Sequence, residues 1–266
     1  MATVNVSNWA DFLTAIQVSG DTVVCPQGAV WDMNEIAPSG ISNYTVSYCT
    51  KIIGNGTAIR NARLANGLIL FAGTSEMNGL HVENVVCESG GFFGCGASIT
   101  LKGCKFSGII PPGGYTTYFI DGTSVANFES CSFALESSTG ERFFITPNYG
   151  QNGYMKYCRI KVQLPNAGTG YSGLWQQNVS WSKIDIDAPG ADTLLVQGAC
   201  ANVYGGDLPL VANYIGNHSG SYISLINSDE IPNLAGVAGY TAAVTTEQLH
   251  DAAYLAGIGF PIGVSA

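Results

Sequence analysis

Three cysteines, Cys104, Cys131 and Cys158, follow one another at intervals of 27 residues, each inside a similar word. The words are Leu101-Lys-Gly-Cys104-Lys-Phe106, Phe128-Glu-Ser-Cys131-Ser-Phe133 and Met155-Lys-Tyr-Cys158-Arg-Ile160. Apolar, polar, small or aromatic, Cys, polar, apolar is the shared pattern. It continues as Val179-Ser-Trp-Ser182-Lys-Ile184 and, more loosely, as Val203-Tyr-Gly-Gly206-Asp-Leu208; Val82-Glu-Asn-Val85-Val-Cys87 reads as a degenerate earlier copy. A second apolar word recurs between them: Tyr118-Phe119-Ile120, Phe143-Phe144-Ile145, Leu174-Trp175, Leu194-Leu195-Val196 and Ile223-Ser-Leu225-Ile226. Both words are short and bounded by Gly, Ser, Asn or Pro, the mark of strands rather than helices. Short strands at a period in the twenties define a solenoid, and the absence of LxxLxL disfavours a leucine-rich horseshoe. The expected fold is all-β, a single-stranded right-handed parallel β-helix. Stacked coils repeat at about 4.8 Å, so the three thiols should form one internal ladder.

Composition narrows the function classes. Only 11% of the 266 residues are charged, 46% are hydrophobic and 34 are glycine, which excludes a disordered chain and a charge-rich bundle. With Lys+Arg 10 against Asp+Glu 19, the net charge of −9 argues against nucleic acid and against anionic membrane surfaces. No apolar run reaches the roughly 18–20 residues of a membrane span, and Met1-Ala2-Thr3-Val4-Asn5-Val6 lacks the basic and apolar regions of a secretion signal. The eight cysteines contain no CxxC pair, so buried free thiols are expected rather than zinc ligands or disulfides. No cofactor or metal site is expected.

An open β-helix exposes apolar interior at both ends and needs covering. Asn8 is placed to cap a helix whose Trp9, Phe12, Leu13 and Ile16 share one face. Thr22-Val23-Val24-Cys25 then reads as the first strand. At the other end, Thr245 and Gln248 form a capping box before Leu249, Ala252, Ala253 and Ala256, and Gly257 ends the helix. The chain divides into a capping segment at 1–20, the solenoid at 21–232 and a capping helix with tail at 233–266, together one cooperative domain.

Trp9-Ala-Asp-Phe-Leu-Thr-Ala-Ile16 followed by Gly20-Asp-Thr-Val-Val24 resembles the capping helix and first strand of the pectin-lyase-like superfamily of right-handed parallel β-helices, and the coil words from 82 to 226 extend the likeness. The segment from Thr245 to Phe260 is similar to C-terminal segments of β-helical proteins in phages and prophages. That resemblance implies a virion component, such as a tail appendage or surface decoration. Such a protein is made in the bacterial cytoplasm and released by lysis, without a signal peptide. Fold alone does not assign the function.

The resemblance to polysaccharide-cleaving members supplies the rival, a lyase or hydrolase acting in a groove along the coils. Of the hydrolase motifs NTD, DD, GHG and RIK, only Arg159-Ile160-Lys161 is present. Hydrolysis needs paired carboxylates, and a Ca²⁺-assisted lyase needs carboxylates beside a base. Asp185 and Asp187, on one strand face, with Lys156, Arg159 and Lys161 one coil earlier, make the best constellation available. A solvated acidic edge explains the same residues. Gly168-Thr-Gly170-Tyr-Ser-Gly173 matches GxGxxG but opens no helix, so it is not read as dinucleotide-binding.

Aromatic residues in Gly/Asn-rich stretches point elsewhere. Tyr115, Tyr118, Tyr149, Tyr154, Tyr171 and Trp175 recur at similar places in the coil. Rigid aromatics beside amides suit glycan or protein recognition. The reading favours a non-enzymatic recognition protein over an enzyme. Its expected partners are a cell-surface glycan or other virion proteins, and low surface charge favours assembly as a homo-oligomer.

Overall fold

The fold is a parallel β-solenoid. In the computed structural model, the described residues are 1–88, 91–110, 117–122, 124–137, 143–144, 153–163, 171–173, 177–180, 182–187, 193–195, 215–216, 223–229 and 240–258. Tyr115, Tyr149, Trp175 and Cys200 lie outside them, as does the loose copy at 203–208.

Three parallel sheets form the walls. Sheet A stacks Thr3–Asn5, Thr22–Val24, Lys51–Ile53, Glu76–Asn78, Ile99–Lys102, Ala126–Glu129, Gly153–Lys156 and Gln177–Ser180 in that order. Sheet B stacks Val30–Asp32, Ala58–Arg60, His81–Cys87, Lys105–Ile110, Ser132–Ser137, Arg159–Gln163 and Lys183–Asp187. Sheet C stacks Thr45–Ser47, Ile69–Phe71, Phe93–Cys95 and Ile120–Gly122. Sheet A begins one strand before Thr22, because Thr3–Asn5 pairs in register with it.

The register carries the cysteine repeat directly. Lys105 pairs with Ser132, Ser132 with Arg159 and Arg159 with Lys183, so the preceding residues, Cys104, Cys131, Cys158 and Ser182, stack. All four are buried, and the Cys158 N–H donates to Ser182 Oγ at 3.0 Å. One coil earlier the ladder position is Leu80, not Val85, because His81 pairs with Lys105 and Val82 with Phe106. The true early copy is Met77-Asn-Gly-Leu80-His-Val82. Val82-to-Cys87 resembled it only because the strand continues through a bulge, where both Val82 and Val85 face inward.

Four consecutive sheet A strands, from Glu76–Asn78 to Gly153–Lys156, turn into sheet B through a left-handed residue: Gly79, Gly103, Ser130 and Tyr157, with φ of 60°, 58°, 53° and 55°. A left-handed backbone at this point lets a single residue bend the chain, so the next position drops into the interior. The strained position is left outside, where half-exposed Tyr157 extends into solvent.

Between the walls the core is layered aromatic rings. Phe119 is fully buried, with ring centroids 4.9 Å from Phe106, 5.1 Å from Phe92 and 5.3 Å from Phe133. The N-terminal opening is covered by helix α1 (Trp9–Ile16), capped by Asn8, whose side chain accepts from the Asp11 N–H at 2.9 Å. Phe12 and Ile16 are fully buried, and Trp9 and Phe12 pack on Trp31. The carbonyl of Ile16 takes the N–H groups of Tyr48 and Cys49, tying the helix to the end of sheet C's first strand. A single turn, α2 (Met33–Ile36), follows sheet B's first strand.

The C-terminal capping box at Thr245 and Gln248 is present, but the expected single helix is two: α3 (Thr246–His250) and α4 (Ala252–Gly257). Asp251 separates them because its carboxylate accepts the N–H groups of Ala253 and Tyr254 and starts a new helix. That shifts the apolar phase. Leu255 is buried with Val244, whereas Ala252, Ala253 and Ala256 are exposed.

Candidate functional site

Inside the coils, chemistry is suppressed. Cys25, Cys49, Cys87, Cys95, Cys104, Cys131 and Cys158 are buried and free. Burial pushes the thiols of Cys25 and Cys87 up to about 12 and that of Cys95 to about 11. Burial also raises Cys131, and the neighbouring Cys131 raises Cys158. Thiols held protonated and away from solvent are poor nucleophiles and poor metal ligands. Among the described residues no cluster of three metal-ligating side chains occurs.

The charged side chains of the strands stand on the outward faces, and there the two long sheets differ. On sheet A, alternate outward positions build a continuous ion ladder. Lys51 Nζ lies 2.5 Å from Glu76 Oε1, and Lys102 Nζ lies 3.4 Å from both Glu76 Oε2 and Glu129 Oε2. The Tyr154 hydroxyl donates to Glu129 Oε1 at 2.6 Å, and Lys156 Nζ sits 4.9 Å from the Tyr154 ring centre. The hydrogen bond from Lys51 holds the Glu76 carboxyl below its usual range, with Asn78 assisting. The Tyr154 hydroxyl does the same for Glu129, and Glu129 in turn raises the Tyr154 phenol.

Tyr154 is thus a strand residue rather than a loop residue. Tyr118 lies on Thr117–Tyr118, paired with Phe143–Phe144, and Tyr171 on Tyr171–Gly173, paired with Thr193–Leu195. For these two only the backbone is described. Among the described side chains, the aromatic set is represented by Tyr154.

Sheet B carries the alternative constellation. Arg159 and Lys161 line an open groove of about 550 Å³ with Arg60, Lys105, Glu83 and Asn84 at its sides and Ser107, Ser132 and Ala134 at its floor. The depression exists because three neighbouring outward positions carry very short side chains. Arg60 is paired, its Nε lying 2.8 Å from Glu83 Oε2. Asp185 and Asp187 pair in register with Lys161 and Gln163, as their spacing implied; their side chains lie outside the described set. Lys156 does not join Arg159 and Lys161. The left-handed corner at Tyr157 turns it onto sheet A, over Tyr154.

The sequence reading missed Arg60, Lys105, Ser107 and Ser132. A signal was present: the residue after each ladder position is Lys105, Ser132, Arg159 and Lys183 in turn, a recurrent polar column dominated by cations. Compared with family models, with curated proteins and with solved structures, the chain matches none.

Proposed function

We propose that the chain is a non-enzymatic structural and recognition protein of a phage particle, a tail appendage or surface decoration that offers outward aromatic residues to a cell-surface glycan or to another virion protein. The observation that carries the recognition part is the fixing of Tyr154. Its hydroxyl is held by Glu129 and its ring is covered by Lys156, so little rotamer freedom remains to be lost on contact. The phenol oxygen keeps acceptor capacity for a ligand hydroxyl. A stiff rod of stacked coils suits a particle component, because each coil braces the next.

Three measurements test this reading. Particles purified from a lysate of the producing cells should contain the chain, and its absence from them rejects the virion assignment. Glycan-array binding by the full chain should fall at least tenfold in Tyr154→Ala. Incubation with acidic and neutral polysaccharides, with and without Ca²⁺, should release neither reducing ends nor unsaturated uronates; release that disappears in Asp185→Asn/Asp187→Asn would establish the enzyme instead.

A further inference from the structure

Of the chain's ten Lys and Arg residues, four line one groove, although the whole chain carries −9. Among the described side chains, Arg60 has Glu83 as an ion-pair partner and Lys105 and Arg159 form no ion pair, while Lys161 stands in register with Asp185, whose side chain lies outside the described set. Among the described side chains, this groove gathers four cations around one carboxylate, Glu83. Charge of one sign in a concave site attracts ligands of the other.

The register says how such a ligand would be held. Lys105, Ser132 and Arg159 occupy successive strands at one position, each about 4.8 Å from the next. An anionic group over Ser132 lies between an ammonium and a guanidinium with a hydroxyl beneath it. Three converging donor groups match the three terminal oxygens of a sulfate ester. One column over, Ser107 Oγ accepts the Asn84 N–H at 2.9 Å, which positions the hydroxyl and leaves its proton for a second acceptor. From Arg60 to Arg159 the groove spans four strand spacings, roughly 19 Å. That is the length of a short oligomer, not of a single ion.

The floor identifies the rest of the ligand. Ser107, Ser132 and Ala134 offer hydroxyls and a methyl, while Phe106 and Phe133 beneath them are buried and present no ring for base stacking. Single-stranded nucleic acid binds through such rings, and a long duplex would meet the acidic remainder of the chain. We propose that the sheet B groove is a binding site for a linear sulfated oligosaccharide, with a sulfate seated over Ser132 between Lys105 and Arg159. The site lies on a different face from Tyr154 and does not rest on the virion reading.

The test is calorimetric titration of the full chain with a size-defined heparin hexasaccharide. Binding should weaken with salt. Lys105→Gln and Arg159→Gln should each reduce it about tenfold or more, the loss of one charge-assisted contact. Ala134→Phe, which fills the groove without changing charge, should abolish it. Lys51→Gln, the same charge change on sheet A, should stay within about twofold. All variants alter outward positions, and an unchanged melting temperature confirms that each is folded. No binding by the unaltered chain would overturn the proposal, as would equal affinity for a desulfated hexasaccharide, an oligogalacturonate or a hexathymidylate. An equal loss in Lys51→Gln would reduce the effect to net charge and also overturn it. Tyr154→Ala should leave this binding intact, so the two assignments fail separately.

Discussion

Sheets A and B are built by the same stacking rule and arrange their charges differently. On sheet A the sign alternates from strand to strand, Lys51, Glu76, Lys102, Glu129, and each charge is spent on its neighbours. On sheet B, Lys105 and Arg159 stand on either side of a neutral serine, so two like charges flank a short side chain. In a parallel solenoid, period converts sequence into columns. Charges of alternating sign on neighbouring strands close on one another, directly or on the diagonal, and a column of repeated sign becomes a surface feature.

The largest perturbation should erase the contrast by removing what both faces stand on. Phe119→Ala deletes the ring that touches Phe92, Phe106 and Phe133, and should cost about 3–5 kcal/mol in denaturant unfolding. Gly108→Ala acts on sheet B alone. Gly108 has φ of 153°, and a Cβ there would collide with the Val85 carbonyl at the bulge, so a loss of about 1–3 kcal/mol is expected. The outward faces respond more weakly. Lys102→Glu would set three carboxylates on successive strands of sheet A and should lower the melting temperature slightly, less so at high salt. Ala134→Glu, placed among the sheet B cations, should leave the melting temperature unchanged or raise it slightly.

The smallest effect is the acid limb of the stability curve. Glu76 and Glu129 titrate below the ordinary value of about 4.3, so the folded state binds fewer protons than the unfolded chain near that pH. Their contribution is present above about pH 4.3 and lost as pH falls through the lowered values. Both carboxylates are largely solvated, so Glu129→Gln should flatten this limb only modestly in melts between about pH 6 and pH 2. His81, pushed down mainly by burial and then by Lys105, works in the same direction nearer neutrality: its share is complete above about pH 6.5 and declines as pH falls through its lowered value.

The parallel solenoid and its thiol ladder were legible because a coil repeats its inward residues at a fixed spacing, and Cys104, Cys131 and Cys158 mark one buried corner in three successive coils. The early coil was misregistered because Leu80 occupies that corner without a cysteine to mark it, and the bulge in His81–Cys87 supplies a decoy valine. The helix break at Asp251 was hidden by an unbroken run of good helix formers whose phase one carboxylate resets. Site residues were harder to read. Outward positions obey no packing rule, so Arg159 and Lys161 could be named from a motif, while Ser107 and Ser132 matter only by being short where their neighbours are long.

Each ladder thiol points at two carbonyls: Cys131 at Glu129 in its own coil (3.4 Å) and Leu101 in the coil before (3.3 Å), Cys158 likewise at Lys156 (3.3 Å) and Phe128 (3.7 Å). Every rung is thus fastened only to the rungs next to it. Rod length then behaves as a free dimension: duplicating residues 104–130 would insert one more storey, with the same fastening above and below and no new kind of joint to invent.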